Sequence, residues 1–314
     1  MKLGKLFQIR KIIRKIFGRR IELCLMIYYS TKLYAYNRLH AIFLTVLNAP
    51  LVLLVSIFQT KTIPSVEMDI TSRCTLNCKE CTHFMPMHKR KGTDKDFDIN
   101  KLLENVDLLF QMINKCLLFS ILGGEPFLHK ELHVLINKLA TEPKIKHIEI
   151  VTNGTIIPNG ENLTALIHEK VSVRVSNYGF LSGKKDELAK ILKEHKVNLK
   201  LGSYQPMWLE TGGFKSRGYS MEEMKFIFFN CNEASCKTLY DGRLWLCPEA
   251  LHGSLLGLVK ENEQEYIDLR TCTKKDFWAK LHKLYNDHSE LTTCYYCAGH
   301  CPEFSKQIPC AEQV

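Results

Sequence analysis

Thirteen cysteines give this 314-residue chain most of its capacity for chemistry, because they fall in tight groups. Cys74, Cys78 and Cys81 stand in the run Asp69-Ile-Thr-Ser-Arg-Cys-Thr-Leu-Asn-Cys-Lys-Glu-Cys, a C-x3-C-x2-C spacing. Thiolates are the common ligands of iron–sulfur clusters. Three of them on one short loop can hold three irons of a cubane and leave the fourth iron open to a small molecule. Taken alone, the spacing also suits zinc, with His83 or His88 as the fourth ligand. Further on, an apolar run ends in Gly123-Gly124-Glu125-Pro126. Glycines let the backbone approach a ligand closely and adopt positive φ. Exposed amides there can contact a carboxylate and Glu125 can pair with an ammonium, the two groups at the zwitterionic end of methionine. Alone, the tetrapeptide reads equally well as a turn. Thr152-Asn153-Gly154 and Ser176-Asn177, the latter just after Arg174, are softer candidates for ligand contacts, and Asn-Gly also favours plain turns.

Eight cysteines lie beyond residue 230: Cys231, Cys236, Cys247, Cys272, Cys294, Cys297, Cys301 and Cys310. Cys236 and Cys247 flank Asp241-Gly242, the dipeptide of a tight hairpin turn. Cys294-Tyr-Tyr-Cys297 has the spacing of a chelating pair. Together these four can ligate one further cluster. Cys231 and Cys301 are alternates or ligands of a second one, and a zinc ribbon is the other reading. Cys116 and Cys272 read as ordinary thiols. A long chain with no convincing secretory signal, and cysteines at metal-ligand spacing, points to a reducing cytosol rather than a disulfide framework.

The elements that must position these groups alternate between strand and helix. The pattern predicts strands over 65–70, 117–122, 145–152, 171–176 and 197–201, with helices over 99–114, 132–140, 162–168 and 184–195 between them. The run at 117–122 is continuously apolar, as in a strand buried on both faces. Repeated βα units imply a parallel sheet with right-handed crossovers. Five such strands suggest an α/β fold, a partial (β/α)6 TIM-like barrel whose sixth strand the pattern does not place. After about Tyr204 the pattern breaks into loops, glycine and cysteine. The expected organisation is a helical arm at 1–62, a core domain at 63–215 and a small Cys-rich domain at 216–314.

The net charge of +10 is concentrated in the arm: residues 1–60 hold ten Lys or Arg and one acid, Glu22. The body is nearly neutral, which argues against nucleic acid as a partner. Residues 5–28 read as a basic amphipathic helix, the composition that lies on anionic membrane surfaces. Ala41 to Phe58 is an uncharged run of 18 residues with Asn48 and Pro50 near its middle. By the positive-inside rule the basic arm would stay in the cytoplasm, so a single span there would export the body, where an oxygen-labile iron–sulfur cluster does not belong. A signal peptide fits worse, because the basic segment ahead of the run is too long. Peripheral or re-entrant membrane contact and soluble packed helices both remain open. The expected location is the cytoplasm, with association at the inner face of the membrane. Cys24 reads as a buried thiol.

With the Cys loop after the first strand and Gly123-Gly124-Glu125-Pro126 after the second, the chain resembles the radical S-adenosylmethionine (SAM) superfamily over roughly residues 65–310. The resemblance implies that Cys74, Cys78 and Cys81 hold a [4Fe–4S] cluster and that residues 123–126, Asn153 and Ser176 contact SAM. It implies reductive cleavage of SAM to methionine and a 5′-deoxyadenosyl radical, which takes hydrogen from a substrate. It also implies an electron donor such as flavodoxin or ferredoxin. Many members carry an aromatic residue just before the third cysteine, where this chain has Glu80. The C-terminal cysteines are similar to SPASM and twitch auxiliary cluster domains, with Cys236, Cys247, Cys294 and Cys297 as the expected ligands. The substrate is then a peptide, or a sugar or other small molecule in a cell-envelope context. A non-catalytic electron-transfer or SAM-binding iron–sulfur protein is the alternative reading.

Overall fold

The computed structural model describes residues 61–314, apart from 212, 232, 234, 235, 287–290, 300, 302 and 303. The arm at 1–60, with its amphipathic segment, its apolar run and Cys24, lies outside the described residues. Among the described residues, no helix is long and apolar enough to cross a membrane.

Apolar runs become strands at the centre of the molecule. Strand β1 (Thr62–Asp69) is buried along almost its whole length. Strands β2 (Lys115–Leu122), β3 (Ile148–Thr152), β4 (Val171–Val175) and β5 (Asn198–Leu201) follow it in parallel, each paired with its predecessor. Ile63, Val66 and Met68 of β1 share one core with Phe119 and Ile121 of β2, Ile148 and Ile150 of β3, and Val173 of β4.

Helices cover this sheet. The first, α1 (Met85–Arg90), is a short turn; α2 (Ile99–Met112), α3 (Leu132–Thr141), α4 (Gly160–Ala165) and α5 (Lys185–Glu194) are the crossovers. In α2 the N-cap Asp98 accepts from the amides of Asn100 and Lys101, satisfying donors that have no intrahelical partner. Its buried face is Leu102, Val106, Leu109 and Phe110, at the spacing of one helical stripe.

The remaining segment is built from α6 (Met221–Asn230), α7 (Pro248–Leu255), α8 (Lys274–Asn286) and short strands. Strand β6 (Met207–Leu209) leaves the main sheet and pairs with β10 (Gln307–Pro309). Strands β7 (Thr238–Tyr240), β8 (Arg243–Trp245) and β9 (Tyr266–Asp268) extend the main sheet from the free edge of β1. Among the described residues the sheet therefore has eight strands, in the order β5-β4-β3-β2-β1-β7-β8-β9. Strand β7 is parallel to β1 at Glu67↔Thr238, and β8 and β9 add antiparallel. Strands of three residues cannot make a stable sheet alone, so the Cys-rich segment docks on the core sheet. The expected hairpin turn is present: Asp241 and Gly242 have φ of 46° and 68°, the pair of positive values a type I′ turn requires.

Candidate active site

All the sequence candidates of the core follow the carboxyl ends of parallel strands, where α/β folds bind ligands. The Cys74, Cys78 and Cys81 loop follows β1, Gly123 follows β2, Asn153 follows β3 and Ser176 follows β4. These residues line one cavity of about 480 Å³, together with Gly124, Arg174 and Tyr178. That size suits a small-molecule ligand.

The loop carrying the three cysteines is tied down on both sides. Thr71 Oγ1 donates to Asp96 Oδ1 at 2.7 Å, the Arg73 amide donates to Thr71 Oγ1 at 3.1 Å, and the Arg73 guanidinium pairs with Asp96 at 2.9 Å. From the other side the segment 310–314 lies along the loop as a strap. The Lys79 amide donates to the Glu312 carbonyl at 2.7 Å, the Val314 amide to the Asn77 carbonyl at 2.9 Å, and Cys78 bridges to Gln313. Nothing in the composition or spacing of residues 310–314 signals this contact.

Donors point at all three sulfurs, with the backbone amides of His83 and Met85 serving Cys81. The Leu76 amide stands 3.4 Å from Cys74 Sγ and the Asn153 side-chain amide 3.6 Å from it, while Gln313 Nε2 donates to Cys78 Sγ at 3.3 Å. Neutral thiols are weak acceptors, so such donors suit thiolates. Burial raises each of the three thiols to about 11. Without metal they are protonated at neutral pH, and coordination would deprotonate them. None of the described cysteines is in a disulfide. Three free thiols on one cavity wall, with N–H donors aimed at sulfur, fit an iron–sulfur cluster.

The glycines serve a purpose different from the expected one. A Cβ at Gly123 would fall inside 3.0 Å of the Thr71 carbonyl, and one at Gly124 would collide with the Arg73 carbonyl and Cys74 Cβ. The Gly124 and Glu125 amides donate to the Thr71 and Arg73 carbonyls at 2.8 and 2.9 Å. This turn is thus packed on the backbone of the cysteine loop, and two of its amides are already used. Glu125 is fully buried and is not on the cavity. Its Oε1 accepts from Thr152 Oγ1 at 2.8 Å and the Phe127 amide at 3.2 Å, and its Oε2 from the Asn153 amide at 2.9 Å. Burial raises its carboxyl to about 7. The Glu125 carboxylate thus clamps the loops after β2 and β3 together. Pro126 is buried too and opens a short 3₁₀ turn behind the cavity. Of the six expected SAM contacts, Gly123, Gly124, Asn153 and Ser176 face the cavity, and Glu125 and Pro126 support its wall.

Deeper in the sheet, Glu149 of β3 pairs with Arg174 of β4 and Lys200 of β5, each at 2.9 Å. Burial would raise the Glu149 carboxyl, but the two cations hold it below the usual carboxylate range. Arg174 lines the cavity, so this ladder fixes a charged group at its wall. Glu80, the residue in place of the aromatic, also lines the cavity and accepts from Thr211 Oγ1 at 3.4 Å.

A second, smaller cavity of about 30 Å³ lies in the Cys-rich segment, lined by Cys231, Cys247, Cys294 and Cys297. Burial, with the neighbouring thiols and Glu249, raises Cys247 and Cys297 well above the ordinary thiol value. The Gly299 amide donates to Cys297 Sγ at 3.1 Å. Three of the four expected auxiliary ligands are here. The fourth, Cys236, is not: it precedes β7, whose pairing with β1 holds it against the Glu67 and Glu233 carboxyls. Cys231, at the end of α6, takes its place beside Gly299, where an added side chain would clash with Ile227 Cγ2 at 2.8 Å. Of the others, Cys301 is fully buried, Cys116 donates to the Leu118 carbonyl at 3.2 Å, and Cys310 lies close enough to Cys78 for their charges to interact.

The fold and this site define a class: a parallel α/β protein that gathers three cysteines and a ligand cavity at the carboxyl ends of its strands. Residues 68–201, less than half of the chain, match the Radical SAM superfamily model. The chain is 35% identical over 94 residues to 7,8-dihydro-6-hydroxymethylpterin dimethyltransferase of Methanocaldococcus jannaschii, a match covering 29% of this chain and 17% of that protein. Among solved structures, it is similar to native anSMEcpe with bound AdoMet and Cp18Cys peptide, at 14% identity and a TM-score of 0.46, covering 75% of this chain and 88% of that one. It is similar also to BtrN in complex with AdoMet and 2-DOIA, at 19% identity and a TM-score of 0.43, covering 75% and 92%. Streptococcus suis SuiB bound to S-adenosylmethionine matches at 18% identity and a TM-score of 0.35, over 51% of this chain and 37% of that one.

Proposed function

We propose that this chain is a radical SAM enzyme that binds a [4Fe–4S] cluster on Cys74, Cys78 and Cys81 and SAM in the adjoining cavity. The observation that carries the reading is the convergence of three free thiols with Gly123, Gly124, Asn153 and Ser176 on one cavity of about 480 Å³. When bound, the cluster supplies the electron that cleaves SAM to methionine and a 5′-deoxyadenosyl radical, and that radical takes hydrogen from a substrate. The chain's own residues hold the cysteine loop rigid, aim N–H groups at Cys74 and Cys78, and keep one cavity wall charged through Arg174. The proposed domains are the core at 63–215 and the Cys-rich segment at 216–314, following the arm at 1–62. Cys231, Cys247, Cys294 and Cys297 are proposed to ligate one auxiliary cluster. The substrate class is a peptide or a sugar-like small molecule, and a flavodoxin or ferredoxin is the proposed electron donor. The proposed location is the cytoplasm, with the arm at the inner membrane face.

Anaerobic reconstitution followed by iron analysis and EPR tests both cluster assignments. The wild type should bind ~8 irons per chain, the content of two [4Fe–4S] clusters. Serine at Cys74, Cys78 and Cys81 together should halve that count, as should serine at Cys231 and Cys294 together. SAM should change the EPR spectrum of the reduced cluster in the second variant and leave the first unchanged. A spectrum insensitive to SAM in a fully loaded wild type would refute the reading. Zinc in place of iron at the second site would refute the auxiliary cluster alone.

A further inference from the structure

Beside the main cavity, Asp69, His83 and His252 converge from the end of β1, the loop after Cys81 and α7. Asp69 Oδ2 stands 2.9 Å from His83 Nδ1 and 2.7 Å from His252 Nε2, and the ligand atoms of all three lie within 4.8 Å of one another. The Asp69 and His252 side chains are each 1% exposed, and His83 reaches the cavity wall. Two further features set this group apart from an ordinary buried ion pair. Asp69 Oδ1 is buried with no hydrogen-bond partner, an orphaned acceptor of the kind that a bound cation explains. The other ring nitrogen of His252 is held by His88 Nε2 at 3.2 Å, and His88 Nδ1 in turn meets Thr93 Oγ1 at 3.1 Å. Such an outer chain fixes the tautomer and ring orientation of a metal-binding imidazole. The charge balance agrees: the carboxyls of Asp69, Glu67 and Glu233 all act on His83, in a buried region.

We propose that Asp69, His83 and His252 form a binding site for one divalent transition-metal cation of the zinc class. Two imidazoles and one carboxylate are a recurrent ligand set for such ions, and one that leaves coordination positions open. The N···O separations of 2.7 and 2.9 Å need only small expansion to become edges around a cation about 2.0–2.2 Å from each ligand. Because His83 is the ligand that reaches the cavity, the open position takes an oxygen donor from that side, water or an oxygen of a molecule bound there. This site is separate from the cysteine sites and uses none of their sulfurs.

The test uses the full chain with its cysteine sites first filled by anaerobic reconstitution with iron and sulfide. Zinc chloride is then added, loose metal is removed by gel filtration, and retained zinc is measured by mass spectrometry and zinc K-edge X-ray absorption. The site predicts about one zinc per chain with a nitrogen and oxygen shell at about 2.0–2.1 Å and no sulfur shell at about 2.3 Å. Asp69→Asn and His252→Gln should each lower retained zinc at least tenfold, with iron and sulfide content unchanged. Because both residues are buried, His83→Gln at the cavity wall is the third variant, with its fold checked by circular dichroism, and it should show the same loss. A wild type that retains no zinc, a shell containing sulfur, or a folded His83→Gln variant that keeps its zinc would each overturn the proposal. The three residues would then be a hydrogen-bonded network only.

Discussion

At the scale of single residues, the cysteine loop owes its properties to neighbours that carry no motif. Gln313 donates to Cys78 Sγ at 3.3 Å, and a donor to a ligating sulfur stabilises the electron-rich reduced state. Removing one hydrogen bond of about 1 kcal/mol corresponds to about 40 mV for a one-electron couple. Gln313→Leu should therefore lower the midpoint potential of the core cluster by roughly that amount in an EPR-monitored redox titration, with iron content retained. Gly124→Ala should act through packing instead. The added methyl meets the Arg73 carbonyl and Cys74 Cβ, so the turn and the cysteine loop must separate. Overpacking of this kind costs about 1–3 kcal/mol, readable as a lower urea midpoint, and reconstituted iron should fall with it. At this scale the three cysteines were legible because their types and spacing state their chemistry. The role of Glu125 was not, since only the fold shows Thr152 and Asn153 closing on its carboxylate.

At the scale of elements, the order and type of the βα units were legible, with ends within about three residues, because burial on both faces imposes continuous apolar runs on strands such as β2. The crossover expected over 162–168 is shifted, spanning Gly160–Ala165. The sixth strand of the expected barrel could not be read. The segment that extends the sheet beyond β1 is β7, three residues long and far away in sequence, and so short a strand leaves no periodic trace. The same pairing separates Cys236 from the smaller cavity: spacing favoured it, but register draws it toward Glu67, and Cys231 lines the cavity instead. Cys231→Ser should thus deplete auxiliary iron strongly, whereas Cys236→Ser should leave the iron count near wild type. The ladder of Glu149, Arg174 and Lys200 ties β3, β4 and β5 together. Glu149→Gln leaves two cations without their shared anion, and because Arg174 is half-exposed the cost falls below that of a fully buried pair, at about 1–3 kcal/mol. A denaturant titration at neutral pH should show that loss.

At the scale of the whole molecule, the chain closes on itself across the site. The sheet continues from the core into the Cys-rich segment, and residues 310–314 return to strap the loop that follows β1. Such long-range closure has no local sequence signal, so the expected division at residues 215 and 216 conveyed composition but not this continuity. Two groups make stability contributions that acid removes. Burial and then Lys200 lower His147 to about 4, so between about pH 6.5 and 4 the unfolded chain takes up a proton that the folded chain resists. Stability is fully present above that window and declines as pH falls through it. Glu149 adds a further decline below the ordinary carboxylate range, because its folded-state value is depressed. Other groups titrate in the same range, Glu125 in the opposite sense, so the reading is a difference: the urea-midpoint gap between wild type and His147→Gln should narrow as pH falls from about 6.5 to 4.

The central claim is that three thiols and the cavity beside them make a SAM-cleaving centre. The most direct measurement is 5′-deoxyadenosine by mass spectrometry after anaerobic reconstitution and incubation with SAM and dithionite. Wild type should be compared with the chain carrying alanine at Cys74, Cys78 and Cys81. The account predicts product from the wild type and none above background from the triple variant. Equal product from both, or none from a wild type with full iron content in the presence of extract supplying candidate substrates, would contradict it.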